Sequence, residues 1–121
     1  MDDEDYYLYL KGKAEFDKKC YETAISYFEC SNLIAEHFKY YEMLYCCWMQ
    51  LGDTRKAFAS IEKAYQINPQ NDKTAFEYAV MLAESGNYET AQTVLASIIQ
   101  RNPTYKKAVA LAASIKQNVE S

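Results

Sequence analysis

The sequence predicts an all-α fold, and three observations carry the prediction: scarce turn formers, a helical apolar period, and recurrence of that pattern about every 34 residues. Three glycines and two prolines among 121 residues leave little material for hairpins, loops or a linker, while Ala, Glu, Lys, Gln and Leu favour helix. Half of the residues are apolar, enough for one domain with a continuous core and too few for two comfortable ones.

The repeat shows most clearly in "LGDTRKAFASIEKAYQINP" (Leu51 to Pro69) and "SGNYETAQTVLASIIQRNP" (Ser85 to Pro103), which align without a gap. Gly52 matches Gly86, Ala57 matches Ala91, Asn68 matches Asn102 and Pro69 matches Pro103, each pair 34 apart. An earlier copy, "KKCYETAISYFECSNLIAE" (Lys18 to Glu36), sets Ala24 33 residues before Ala57. The expected order is a first repeat at about 5–37, a second at about 38–71, a third at about 72–104 and a closing helix at about 105–119, all in one domain, 1–121.

Each copy reads as two helices. In the second, Tyr41, Leu44, Tyr45, Trp48 and Leu51 form one apolar stripe, and Ala57, Ile61, Ala64 and Tyr65 form another after the Gly-Asp break. Gly52 and Gly86 suit the left-handed residue that closes a first helix, Asp53 and Asn87 suit the cap of the second, and Pro69 and Pro103 end it. After Pro103, "YKKAVALAASIKQNV" gives one more helix. Two short antiparallel helices cannot bury their own apolar face, so neighbouring copies must stack, and Ala24, Ala57 and Ala91 fit the closest approach of paired helices.

A net charge of −4 argues against a nucleic-acid partner, which would ask for clustered Lys and Arg. "MDDEDYYLYL" has acids where a secretion signal needs bases, and its apolar run breaks at Lys11, so neither a signal peptide nor a membrane span is expected. The expected setting is cytoplasmic, with all four cysteines as free thiols.

This helix-turn-helix copy resembles the tetratricopeptide repeat. The second copy matches through Tyr41, Leu44, Trp48, Gly52, Ala57, Ile61, Ala64 and Pro69, and the third through Tyr78, Ala79, Leu82, Gly86, Tyr88, Ala91, Leu95 and Pro103. The first keeps Gly12, Ala14, Phe16, Tyr21, Ala24 and Phe28 but departs at Lys11, Glu15 and Lys19, and has Glu36 in place of proline. Such departures fit an exposed capping repeat or a rotated first helix.

The resemblance implies a right-handed α-solenoid of about seven helices, whose first helices line a concave groove that binds a peptide or helical segment of another protein. The groove stripe is expected one position beyond the core stripe. It comprises Tyr6, Tyr9, Lys13 and Phe16 in the first copy, Lys39, Glu42, Cys46, Met49 and Gln50 in the second, and Lys73, Phe76, Val80, Ala83 and Glu84 in the third. Its apolar members have no reason to face water unless something covers them, and Lys39 and Lys73 could select an acidic residue of the ligand. Co-chaperones of the family it resembles clamp acidic chaperone tails with Lys, Asn and Arg. Here Tyr9, Lys13, Cys46 and Glu77 stand at or near most of those places, and Lys73 is the one match. Chaperones of type III secretion translocators are closer in length, acidity and apolar groove. The alternative is therefore a chaperone-like or self-associating module, a possible homo-oligomer whose groove is filled by its own helix or by another subunit.

Enzymatic readings find little support. Adjacent Cys46 and Cys47 point about 100° apart on a helix and cannot readily chelate one ion. They lack the imidazole or helix start that activates a thiol, and His37 has no ligand partner at helical spacing. No phosphate loop or nucleophile motif is present. The carboxylates of Glu15, Asp17, Glu42 and Glu84 read as solvated charges. The expectation is a scaffold or adaptor without catalytic residues, metal or cofactor.

Overall fold

The computed structural model describes the backbone of residues 3–120 and the side chains of residues 3–119. Met1, Asp2 and Ser121, which fall within the expected 1–121 domain, lie outside the described residues. Among the described residues every regular element is an α-helix: α1 (Glu4–Asp17), α2 (Tyr21–Ile34), α3 (Phe38–Gln50), α4 (Thr54–Ile67), α5 (Asp72–Glu84), α6 (Tyr88–Arg101) and α7 (Lys106–Glu120). The chain is all-α, three helix pairs followed by a single helix.

Local chemistry accounts for the breaks. Gly52 and Gly86 close α3 and α5 with φ of 79° and 84°, values that cost glycine nothing because it has no Cβ. Asp53 then caps α4, its Oδ1 accepting the Lys56 N–H at 3.0 Å. Pro69 and Pro103 follow two residues after the last residues of α4 and α6. The expectation for Asn87 fails: its side chain makes no cap bond, and its Nδ2 donates instead to Ser85 Oγ at 3.0 Å. In the first copy the left-handed position is held by Lys19, at φ 65°, and Cys20 caps α2 without a side-chain hydrogen bond.

The chain forms two compact units, Met1–Ile67 and Asn68–Ser121. In the first, α1 packs on α2, α2 on α3 and α3 on α4, and α1 also reaches α3. Its core joins Ala24, Ile25, Phe28, Leu44 and Cys47, with Tyr9, Phe16, Tyr21, Tyr41, Met43 and Trp48 packed around them. Gly12 belongs to this core for a steric reason: a Cβ there would lie 2.7 Å from Phe28 Cε1. In the second unit, α5 packs on α6, α6 on α7, and α5 touches α7. Ala75, Ala79, Leu82, Ala91, Leu95, Ile98, Ala108 and Ile115 are buried there. The three alanines expected at close helix contacts, Ala24, Ala57 and Ala91, are fully buried.

One stripe needs correction. In α3 the buried residues are Tyr40, Leu44 and Cys47, whereas Tyr41, Tyr45 and Trp48 are half-buried and Leu51 is 41% exposed. Because α3 packs on both α2 and α4, it buries two faces, and a single apolar stripe describes only one. Leu51 also lies just beyond the end of α3, where helical periodicity no longer places it.

Candidate functional site

Within the first unit, α1 and α3 border a recess of about 320 Å³ lined by Tyr6, Tyr9, Leu10, Lys13, His37, Lys39 and Tyr40. Four of the stripe residues meet here: Tyr6, Tyr9, Lys13 and Lys39. Helical spacing sets Tyr6, Tyr9 and Lys13 on one face of α1. Their side chains stay there through ring contacts: Tyr9 lies 5.1 Å from Tyr40, 5.9 Å from Phe28 and 5.9 Å from Tyr6, centroid to centroid. The Tyr40 hydroxyl donates to Asp5 Oδ2 at 2.6 Å, which ties the start of α3 to that of α1. Ser31 Oγ adds a bond from α2 to the Asp5 carbonyl at 2.9 Å. Burial and the nearby Asp5 carboxylate both push the Tyr40 hydroxyl well above its ordinary pKa.

The cations of the recess are lightly committed. Lys13 Nζ rests 5.6 Å from the centroid of the Tyr9 ring, a cation–π contact. Lys39 is exposed, and its backbone N–H donates to His37 Nδ1 at 3.1 Å. That bond makes His37 the cap of α3, and it fixes the neutral tautomer: with Nδ1 accepting, the ring proton sits on Nε2. The imidazole is held by the neighbouring Phe38 and Tyr40 rings, at 5.0 and 5.4 Å. The sequence pattern assigns neither His37 nor Tyr40 to the groove face. Neither carries a local signal, because histidine is a rare cap and the recess forms only when α1 approaches α3.

The other stripe residues of the first unit lie away from this recess. Phe16 turns its ring edge to Tyr21 at 5.3 Å and packs on the core. Glu42 and Cys46 are half-buried along α3, and Met49 and Gln50 are exposed at its end. Cys47 is fully buried, and burial together with the adjacent Cys46 pushes its thiol up to about 12. All four cysteines are free thiols.

In the second unit Lys73 and Glu84 are exposed on α5, and Phe76, Val80 and Ala83 are half-buried. Phe76 packs near Tyr105, 5.9 Å between centroids, so the approach to α7 covers part of this face. Among the described residues no three of His, Cys, Asp and Glu gather to hold a metal ion, and no helix is long and apolar enough to cross a membrane.

This geometry is that of a helical-repeat protein built from successive helix pairs. The tetratricopeptide repeat model matches residues 49–115, more than half of the chain, which therefore belongs to the tetratricopeptide repeat family. None of the curated proteins matches it in sequence. Among solved structures, the first tetratricopeptide domain of Spaghetti (RPAP3), bound to an HSP90 peptide, superposes with a TM-score of 0.84 at 16% identity, covering 100% of this chain and 97% of that one. The type III secretion translocator chaperone SycD of Yersinia enterocolitica gives 0.77 at 18% identity, covering 96% and 86%. YrrB, described as having an unusual peptide-binding site, gives 0.79 at 21% identity, covering 93% of this chain and 59% of that one. At these identities the likeness shows the α-solenoid fold and nothing of partner choice.

Proposed function

We propose that the chain is a non-enzymatic scaffold or adaptor, a protein-interaction module that takes an extended or helical segment of another protein on the faces of its first helices. The observation that carries this reading is the apolar surface left open on α1 and α3: Tyr6, in the tyrosine-lined recess, is 54% exposed, and Met49, at the opposite end of α3, is 38% exposed. Apolar side chains left in water on a helix face mark a surface that something covers. The peptide-bound RPAP3 domain supports this reading by fold alone. Four free thiols fit a reducing, cytoplasmic setting. In the second unit, the face of α5 proposed to take part carries Lys73, Phe76, Val80 and Glu84.

The test is capture from the native source followed by the double substitution Tyr6→Ser, Met49→Ser. Both side chains are exposed, so stability should move by about 0.5 kcal/mol or less while the captured protein is lost. Retention of the partner by the double variant overturns the reading.

A second reading, a self-associating or chaperone-like module, is favoured by the Phe76–Tyr105 contact, which shows the chain's own terminal region reaching a stripe residue. SycD, described in an alternative dimer, is similar in fold. Light scattering over a concentration series decides it: a mass that stays at 14.0 kDa removes self-association.

A further inference from the structure

The recess between α1 and α3 has donors of a particular kind. Lys13 comes from α1, Lys39 from the first turn of α3 and His37 from the turn before it. Neither lysine is engaged by a carboxylate among the described residues. The imidazole keeps its proton on Nε2, because Nδ1 accepts from the Lys39 backbone. The Tyr40 hydroxyl is committed to Asp5 and adds no donor. The recess thus has separate point donors on three segments and no guanidinium or amide fork among its lining.

A planar carboxylate is matched best by a fork of parallel donors, whereas a tetrahedral group with three acceptor oxygens is matched by single donors arriving from different directions. A phosphate monoester also carries a charge near −2 at neutral pH, so two unpaired ammonium groups hold it better than they hold a single carboxylate. The rings of Tyr6 and Tyr9 and the Leu10 side chain supply an apolar wall for the stem that bears the group.

We propose that this recess receives a phosphorylated side chain of the partner segment, held by Lys13, Lys39 and the Nε2–H of His37. The proposal rests on the peptide-binding reading above and specifies the chemistry of the segment.

The experiment uses the full chain and three fluorescent peptides of one leucine-flanked sequence, with phosphoserine, glutamate or serine at the centre, followed by polarisation. The phosphoserine peptide should bind at least roughly tenfold more tightly than the glutamate peptide. Lys13→Ala and Lys39→Ala should each weaken it by roughly tenfold, reduce the salt dependence, and leave the serine peptide unchanged. Lys63→Ala, an exposed lysine of α4 outside the recess, should leave all three unchanged. His37→Asn keeps a side-chain acceptor for the Lys39 N–H but removes the imidazole donor, so it should weaken only the phosphoserine peptide. Equal binding of the three peptides overturns the phosphate site while leaving peptide binding intact. Binding of none overturns both. Equal competition by a single-stranded oligonucleotide of matched charge also overturns the assignment to a protein segment.

Discussion

Gly12 and Lys19 show how single residues set the first helix pair, and they do so in opposite directions. Inside a helix, glycine normally costs about 1 kcal/mol relative to alanine. At Gly12 the order reverses, because the added methyl would press into the Phe28 ring at 2.7–2.9 Å and Phe28 is fully buried. Gly12→Ala should lower stability by about 1–3 kcal/mol, the usual cost of overpacking, as read from the midpoint of urea unfolding. Lys19 sits at φ 65° where the later copies have Gly52 and Gly86, and Cys20 makes no side-chain cap where Asp53 makes one. Lys19→Gly relieves a left-handed side chain, and Cys20→Asp supplies an acceptor to the first turn of α2. Together they should raise stability by about 1–2 kcal/mol in the same measurement. A double variant no more stable than the parent sinks the explanation of both turns.

At the scale of elements, α3 gathers groups whose protons the fold retains. Burial raises the Cys47 thiol from 9.0 to about 12. The Tyr41 hydroxyl goes from 10.0 to about 12 through burial and its bond to Glu36 Oε2. The unfolded chain gives up these protons from about pH 9 upward, while the folded chain holds them to about pH 12, so the folded state binds more protons across that window. Stability should therefore fall as pH rises from about 9 to 12. Cys47→Ala should flatten the fall, which thermal melts at stepped pH would show. The helix pairs, their glycine turns and their proline stops were legible in the sequence because each depends on chemistry within a few residues. The faces of α3 were less so: Cys47 is buried against α2 and Tyr40 against α1, which one stripe cannot express. The recess was half legible. Tyr6, Tyr9, Lys13 and Lys39 followed from helical spacing applied to the groove that the family resemblance implies, whereas His37 and Tyr40 join them through contacts between α1 and α3 that no local pattern records.

For the whole molecule, the division into Met1–Ile67 and Asn68–Ser121 gives repeat stability a test. In stacked repeats each copy draws its stability from its neighbours, and local opening follows those boundaries. Ile61 and Ile98 are both fully buried and lie on α4 and α6. Ile61→Ala and Ile98→Ala should each cost about 2–5 kcal/mol. In native-state hydrogen exchange, the first should speed exchange mainly in α1 to α4 and the second mainly in α5 to α7. Equal acceleration along the chain by either variant would mean one cooperative block instead. Nature has already labelled one half of this comparison: Trp48, the single tryptophan, sits on the first unit's core with the Lys56 ammonium 4.5 Å from its ring centroid. Its emission is thus an intrinsic optical gauge of residues 1–67 alone, while circular dichroism averages over all seven helices. The gap between those two melting curves, taken on the unmodified chain, reads out how far the two halves share their fate.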